Sequence, residues 1–128
     1  MVSKSPPRVL YVDDEPTLVF LITRALEKLG IAARGFASAD EALAAFGREP
    51  QAFTLVLTDL SMPGGMSGLE LAQAVLAIRP DTNVVIASGC IDPADARRAT
   101  EIGVRTVIHK PAKVAEMAQL VSGLVRDL

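Results

Sequence analysis

The sequence predicts a single α/β domain, a parallel sheet covered by helices on both faces. Three observations lead there. Five apolar segments rich in β-branched residues alternate with amphipathic helical patterns along the 128 residues. The connections are short, so each passage from strand to strand is a helical crossover unit. Two strand segments contain continuous apolar runs, "LVL" and "VVI", the composition of strands buried on both faces. A chain of 128 residues holds one real core and is too short for an eight-stranded barrel. Periodicity does not order the strands, and a doubly wound sheet or another α/β arrangement satisfies this pattern.

Residues 1–7, "MVSKSPP", are polar and proline-rich and are expected to form a flexible leader, leaving 8–128 as the domain. "RVLYV" (8–12) is the first strand. In 17–29, Leu18, Leu21, Ile22, Ala25, Leu26 and Leu29 recur at helical spacing and Gly30 supplies the stop. Val19 and Phe20 fall off that stripe, with core burial their default fate. "AARGF" (32–36) is the weakest strand candidate, because Ala and Gly are poor strand formers. A helix over 39–46 follows Ser38 as its N-cap, and "FTLVLT" (53–58) is the third strand. Leu69, Ala72 and Leu76 mark a helix over 69–78 that closes before Pro80. "NVVIAS" (83–88) is followed by an Ala-rich helix over 94–102, which ends before Gly103. "TVIH" (106–109) leads to a last helix over 114–126, with Val114, Met117, Val121 and Leu124 on one face.

Composition excludes several functions. Half the residues are hydrophobic, 22% are charged, the net charge is -2 and the pI about 5.3. Lys and Arg are scattered without a basic stripe, so no nucleic-acid footprint is present. No apolar run is long enough to span a bilayer and no signal-peptide pattern opens the chain, so no membrane role is expected. Cys90 is the only cysteine; no internal disulfide forms, and a reducing cytoplasm suits the chain.

The chemistry gathers at the strand ends. Open α/β sheets bind ligands beyond the carboxyl ends of their strands. There the sequence places Asp13 and Asp14 after the first strand, Asp59 after the third, Ser88 on the fourth and Lys110 after the fifth. Each has a plain reading by itself: "DDEP" suits a helix start, Asp59 a turn, Ser88 a loop cap and Lys110 the surface. Their conjunction at one sheet edge favours a site instead. Clustered carboxylates raise one another's pKa unless a cation intervenes, and a hard divalent ion with oxygen ligands, Mg²⁺ above all, resolves the conflict. With Mg²⁺ and Lys110 supplying positive charge, such a site accepts a phosphoryl group. A carboxylate is then the nucleophile, Ser88 a hydrogen-bond partner of a phosphoryl oxygen, and Gly89 leaves room for the group.

From "VLYVDDEP" through "VLTDLSMPGGMSGLEL" and "VVIASG" to "VIHKPA", over residues 8–127, the chain resembles a two-component response-regulator receiver domain. The resemblance implies a flavodoxin-like doubly wound (βα)5 fold with strand order 2-1-3-4-5. It implies Asp59 as phosphoacceptor and Mg²⁺ held by Asp14, Asp59 and the Ser61 carbonyl, with Asp13 acting through water. Ser88 and Lys110 complete the catalytic set, and the Lys110–Pro111 bond is implied to be cis. The implied partner is a histidine kinase or histidine phosphotransfer protein. The implied activity is self-catalysed phosphotransfer and slow autodephosphorylation rather than that of a stand-alone enzyme. The readout, and any dimerisation, belongs to the face of helix 4, strand 5 and helix 5.

The sequence also departs from the family pattern. "MPGGMSG" carries one extra residue, which implies a longer and more flexible loop. Val107 stands where the family places its switch aromatic, and Ala112 replaces a frequent Phe. "GVRTVIHKPA" resembles receivers at the C-terminus of hybrid histidine kinases more than those of transcription factors. Cys90 falls where the family varies control of hydrolytic water, though a plain loop thiol is the default, as a plain strand end is for His109. Met62 and Met66 are expected to pack the loop. Val19 and Phe20 lie on the helix that docks phosphodonors in this family. Other classes compete. A pseudo-receiver acting only as an interaction module is opposed by five competent site residues. A haloacid-dehalogenase-type phosphatase needs a DxD motif and cap that are absent. A flavodoxin-type flavin binder needs a Ser/Thr-Gly phosphate loop, likewise absent.

Overall fold

The computed structural model describes residues 8–128, so the leader expected at 1–7 lies outside the described residues. Strands and α-helices alternate: β1 (Arg8–Val12), α1 (Pro16–Lys28), β2 (Ala32–Phe36), α2 (Ala39–Arg48), β3 (Leu55–Asp59), α3 (Gly68–Ile78), β4 (Asn83–Ser88), α4 (Pro93–Ile102), β5 (Thr106–His109) and α5 (Val114–Arg126). The strands pair in parallel in the order β2-β1-β3-β4-β5, the flavodoxin-like order that the resemblance implied. The direction of winding reverses between β1 and β3, which makes their carboxyl ends the natural ligand crevice.

Strand alternation divides the core into two layers. Leu10 and Val12 of β1, Val56 of β3 and Val84 and Ile86 of β4 face α2, α3 and α4. Val9, Tyr11, Leu55, Leu57 and Val85 face α1 and α5, where Ile22, Leu26, Met117 and Val121 cover them. Both faces are buried, which explains the continuous apolar runs. Each fully buried Leu, Ile or Val side chain contributes about 1.5–3 kcal/mol of transfer free energy.

Helix starts follow local chemistry. Ser38 Oγ accepts the Glu41 N–H at 3.3 Å ahead of α2, and Asp92 Oδ1 accepts the Ala94 N–H at 2.8 Å ahead of α4. Ser67 and Glu70 form a reciprocal capping box at α3, with bonds of 3.2 and 3.0 Å. Gly103, at φ 109°, ends α4 in the left-handed conformation.

Three features differ from the sequence reading. β3 begins at Leu55, because a 3₁₀ turn at Pro50–Ala52 delivers Phe53 to the core, where its ring stacks on Phe46 at 6.1 Å. β3 also takes in Asp59, paired with Ala87 of β4. The buried stripe of α1 is rotated: Val19, Ile22 and Leu26 are buried, while Leu21 and Leu29 are 45% and 43% exposed. Gly35 is the reason. A Cβ there would stand 2.3 Å from Val19 Cγ1, so the bare glycine of β2 makes the space that Val19 fills. Phe20, for which core burial was the default expectation, is instead exposed, with the Arg24 guanidinium 5.5 Å from its ring centre.

Candidate functional site

Backbone bonds carry each chemical residue to the sheet edge. The Asp13 N–H donates to Phe36 O at 3.1 Å, Leu60 N–H to Ala87 O at 3.0 Å and Lys110 N–H to Ser88 O at 2.8 Å, extending the ladders past the strand ends. Asp13, Asp14, Asp59, Ser88 and Lys110 therefore stand together at one edge.

Lys110 is the centre of the arrangement. Its Nζ donates to Asp13 Oδ2 at 2.6 Å and to Asp59 Oδ2 at 3.3 Å. Asp13 is 1% exposed and heavily bonded: Oδ1 accepts the Glu15 N–H at 3.1 Å, and Oδ2 also accepts the Tyr11 hydroxyl at 2.9 Å. Asp14 is exposed. One carboxylate oxygen from each of Asp13, Asp14 and Asp59 lies within 4.8 Å of the others. Three hard oxygen donors at that separation fit a small divalent cation.

The electrostatics follow from this crowding. Burial raises the pKa of Asp59 and the Asp13 charge adds to the rise, while the Lys110 ammonium opposes both. Burial pulls the pKa of Lys110 down, but the hydrogen bond and charge of Asp13, joined by Asp59, outweigh it and leave the group above its ordinary value. Burial first, and then the neighbouring Asp13, hold the Tyr11 hydroxyl far above the usual phenol range. It is a committed donor.

Beside the acids opens a cavity of about 840 Å³, lined by Asp59, Met62, Ser88, Cys90, Arg98 and Lys110 among others. Ser88 is buried, its Oγ donating to Cys90 O at 2.7 Å and accepting the Cys90 N–H at 3.2 Å, so the hydroxyl closes the loop after β4. A Cβ at Gly89 would meet nothing within 4 Å, so room there does not depend on the glycine. Ser61 and Cys90 are exposed and line the cavity, whereas His109 is an exposed strand-end group outside its lining. Val107 packs partly buried against the α2–α3–α4 side of the core. The Lys110–Pro111 peptide is trans, where the resemblance implied cis. The trans isomer carries an intrinsic advantage of about 0.5–1 kcal/mol, and from it Lys110 already reaches both acids.

The 60–67 loop joins β3 to α3. Gly64 takes φ 87°, a left-handed conformation that glycine adopts without a Cβ penalty. Met62 is buried and Met66 packs against the core, as expected of both. At Gly68 a Cβ would sit 2.2 Å from the Asp59 carbonyl oxygen, so only glycine lets α3 start against the end of β3. Sequence reading did not single out Gly68, the cavity-lining Arg98 and Asp95, or Tyr11. For Tyr11 a signal existed: residues two apart on a strand share a face, which puts a phenol beside Asp13.

Comparison with known proteins agrees with this geometry. The family model for the response regulator receiver domain matches residues 9–122. The chain is 34% identical over 113 residues to the C4-dicarboxylate transport transcriptional regulatory protein DctD of Rhizobium meliloti (strain 1021), covering 88% of this chain and 24% of that protein. It is 30% identical to the sensor protein GacS of Pseudomonas syringae pv. syringae, covering 94% of this chain and 14% of that one. The chain thus spans a quarter or less of the length of these relatives. Among solved structures, a response regulator protein from Burkholderia pseudomallei, described with a phosphorylated aspartic acid, calcium ion and citrate, superposes with a TM-score of 0.76 at 28% identity, covering 92% of this chain and 72% of that one. A doubly wound sheet, an acidic cluster at its switch point and a family model spanning nearly all described residues lead to one conclusion: the chain belongs to the response regulator receiver domain family.

Proposed function

We propose that this receiver domain of two-component signalling works as the phosphoacceptor switch of a His-Asp phosphorelay, taking a phosphoryl group from a phosphohistidine onto Asp59 in a Mg²⁺-dependent reaction. The observation that carries the reading is Lys110 Nζ bridging Asp13 and Asp59, with the Asp14 carboxylate in the same cluster. Asp14, Asp59 and the Ser61 carbonyl would hold the cation, with Asp13 acting through water. When bound, the cation neutralises charge on the carboxylates and on the incoming phosphoryl oxygens. An Asp59 oxygen attacks phosphorus, the P–N bond to the donor imidazole breaks, and the electron pair leaves with the histidine. Lys110 turns from Asp59 to the new phosphoryl group, and Ser88 exchanges its bond to Cys90 for a phosphoryl oxygen. Those two movements link the chemistry to β4, α4 and β5, and so to a partner surface on the α4–β5–α5 face, which also serves any dimerisation.

The donor is a histidine kinase or histidine phosphotransfer protein, and the setting is the cytoplasm. No helix among the described residues is long and apolar enough to cross a membrane. The test is transfer of labelled phosphate from autophosphorylated kinases of this class, with and without Mg²⁺. Label should reach the wild type and be absent from Asp59→Asn. Binding of a kinase without transfer of label would favour the unphosphorylated interaction module instead.

A further inference from the structure

We propose that Tyr11 is a positioning residue of this site, whose buried hydroxyl holds Asp13 in the arrangement that serves Lys110 and so competes with the divalent cation. The inference rests on the cation-dependent reading above and concerns what sets the affinity.

Tyr11 is 1% exposed, with its ring packed in the α1–α5 layer of the core. A buried phenol needs a partner for its O–H, and strand alternation leaves one within reach, the side chain two residues on. The Tyr11 hydroxyl donates to Asp13 Oδ2 at 2.9 Å, and Lys110 Nζ donates to that same oxygen at 2.6 Å. Glu15 N–H occupies Oδ1 at 3.1 Å. A carboxylate offers about four lone-pair positions, so three donors leave Asp13 little capacity for a cation or for water bound to one. The three donors also fix its rotation, which directs Oδ2 at the ammonium.

Water bound to a divalent cation would compete for the lone pairs of Asp13 and so weaken the bonds Asp13 accepts. The Tyr11 bond is therefore worth more without metal than with it, and a bond that differs between two states shifts their balance. Removing the hydroxyl takes away the metal-free advantage while leaving the ring in the core. A hydroxyl that merely satisfies the core would change stability and leave affinity alone.

The test is calorimetric titration of Mg²⁺ into the chain at neutral pH, as wild type and as Tyr11→Phe. The Phe variant should bind about tenfold more tightly, the change expected when a bond to a charged group is stronger in one state than in the other. Equal or weaker binding by the variant overturns the proposal, whereas a wild type that binds no Mg²⁺ overturns the phosphoacceptor reading beneath it. A second readout needs no variant. Tyr11 is the only tyrosine and there is no tryptophan, so its emission reports this bond directly. Saturating Mg²⁺ should raise the emission as the carboxylate loosens its hold on the phenol; unchanged emission at saturation also overturns the proposal.

Discussion

At Asp59 the fold works against itself. Burial and the Asp13 charge raise its pKa, and Lys110 only partly offsets them. The folded state therefore binds the Asp59 proton more tightly than the unfolded chain does. Its contribution to stability is greatest below the ordinary carboxylate range and declines as pH rises through the raised value. Asp59→Asn should raise the thermal midpoint at neutral pH, with a smaller gain in Mg²⁺, which relieves the same repulsion. Melting both proteins across the acidic range checks this, and a lower midpoint for the variant at neutral pH contradicts it. Lys110 behaves oppositely in origin, since its partners favour the charged form. Its raised pKa marks stability that is present below the ordinary lysine range and lost as pH climbs through the raised value.

Among the elements, the approach of α3 to β3 carries the tightest constraint. Gly68 has no space for a Cβ beside the Asp59 carbonyl, and backbone cannot yield as a flexible side chain can. Gly68→Ala should cost about 1–3 kcal/mol and push the start of α3 away from Asp59. Gly123→Ala is the control, since a Cβ inside α5 meets nothing within 4 Å and should add about 0.5–1 kcal/mol. Denaturant unfolding of both variants reads the contrast. The same kind of contact explains why Leu21, placed on the buried stripe of α1 by the sequence reading, is exposed, whereas Val19 is buried as its default reading had it. Its apolar residues permit more than one buried face, and only the hole at Gly35 on a different element selects Val19 over Leu21. β2, assembled from poor strand formers, is an edge strand paired with β1 from Arg8–Ala32 to Val12–Phe36, so its partner supplies what propensity lacks.

For the molecule as a whole, the sheet order concentrates function in one place. Strand spacing and buried-strand composition made the α/β class and the acidic edge legible, because parallel strands bring their carboxyl ends to one side. Strand order was not legible from periodicity and came through the resemblance. Nor could one-dimensional spacing show that Lys110 and Tyr11 share one oxygen of Asp13, a contact bridging 97 residues on the lysine side. Those partners hold Asp13 in the orientation seen here. The central claim is that the acids and Lys110 act as one cation-dependent phosphoacceptor, and acetyl phosphate tests it most directly. After incubation with this small donor, intact mass and fragment mapping should show one phosphoryl group, on Asp59, only when Mg²⁺ is present. Label on another residue, label without Mg²⁺, or no label at all would contradict the account.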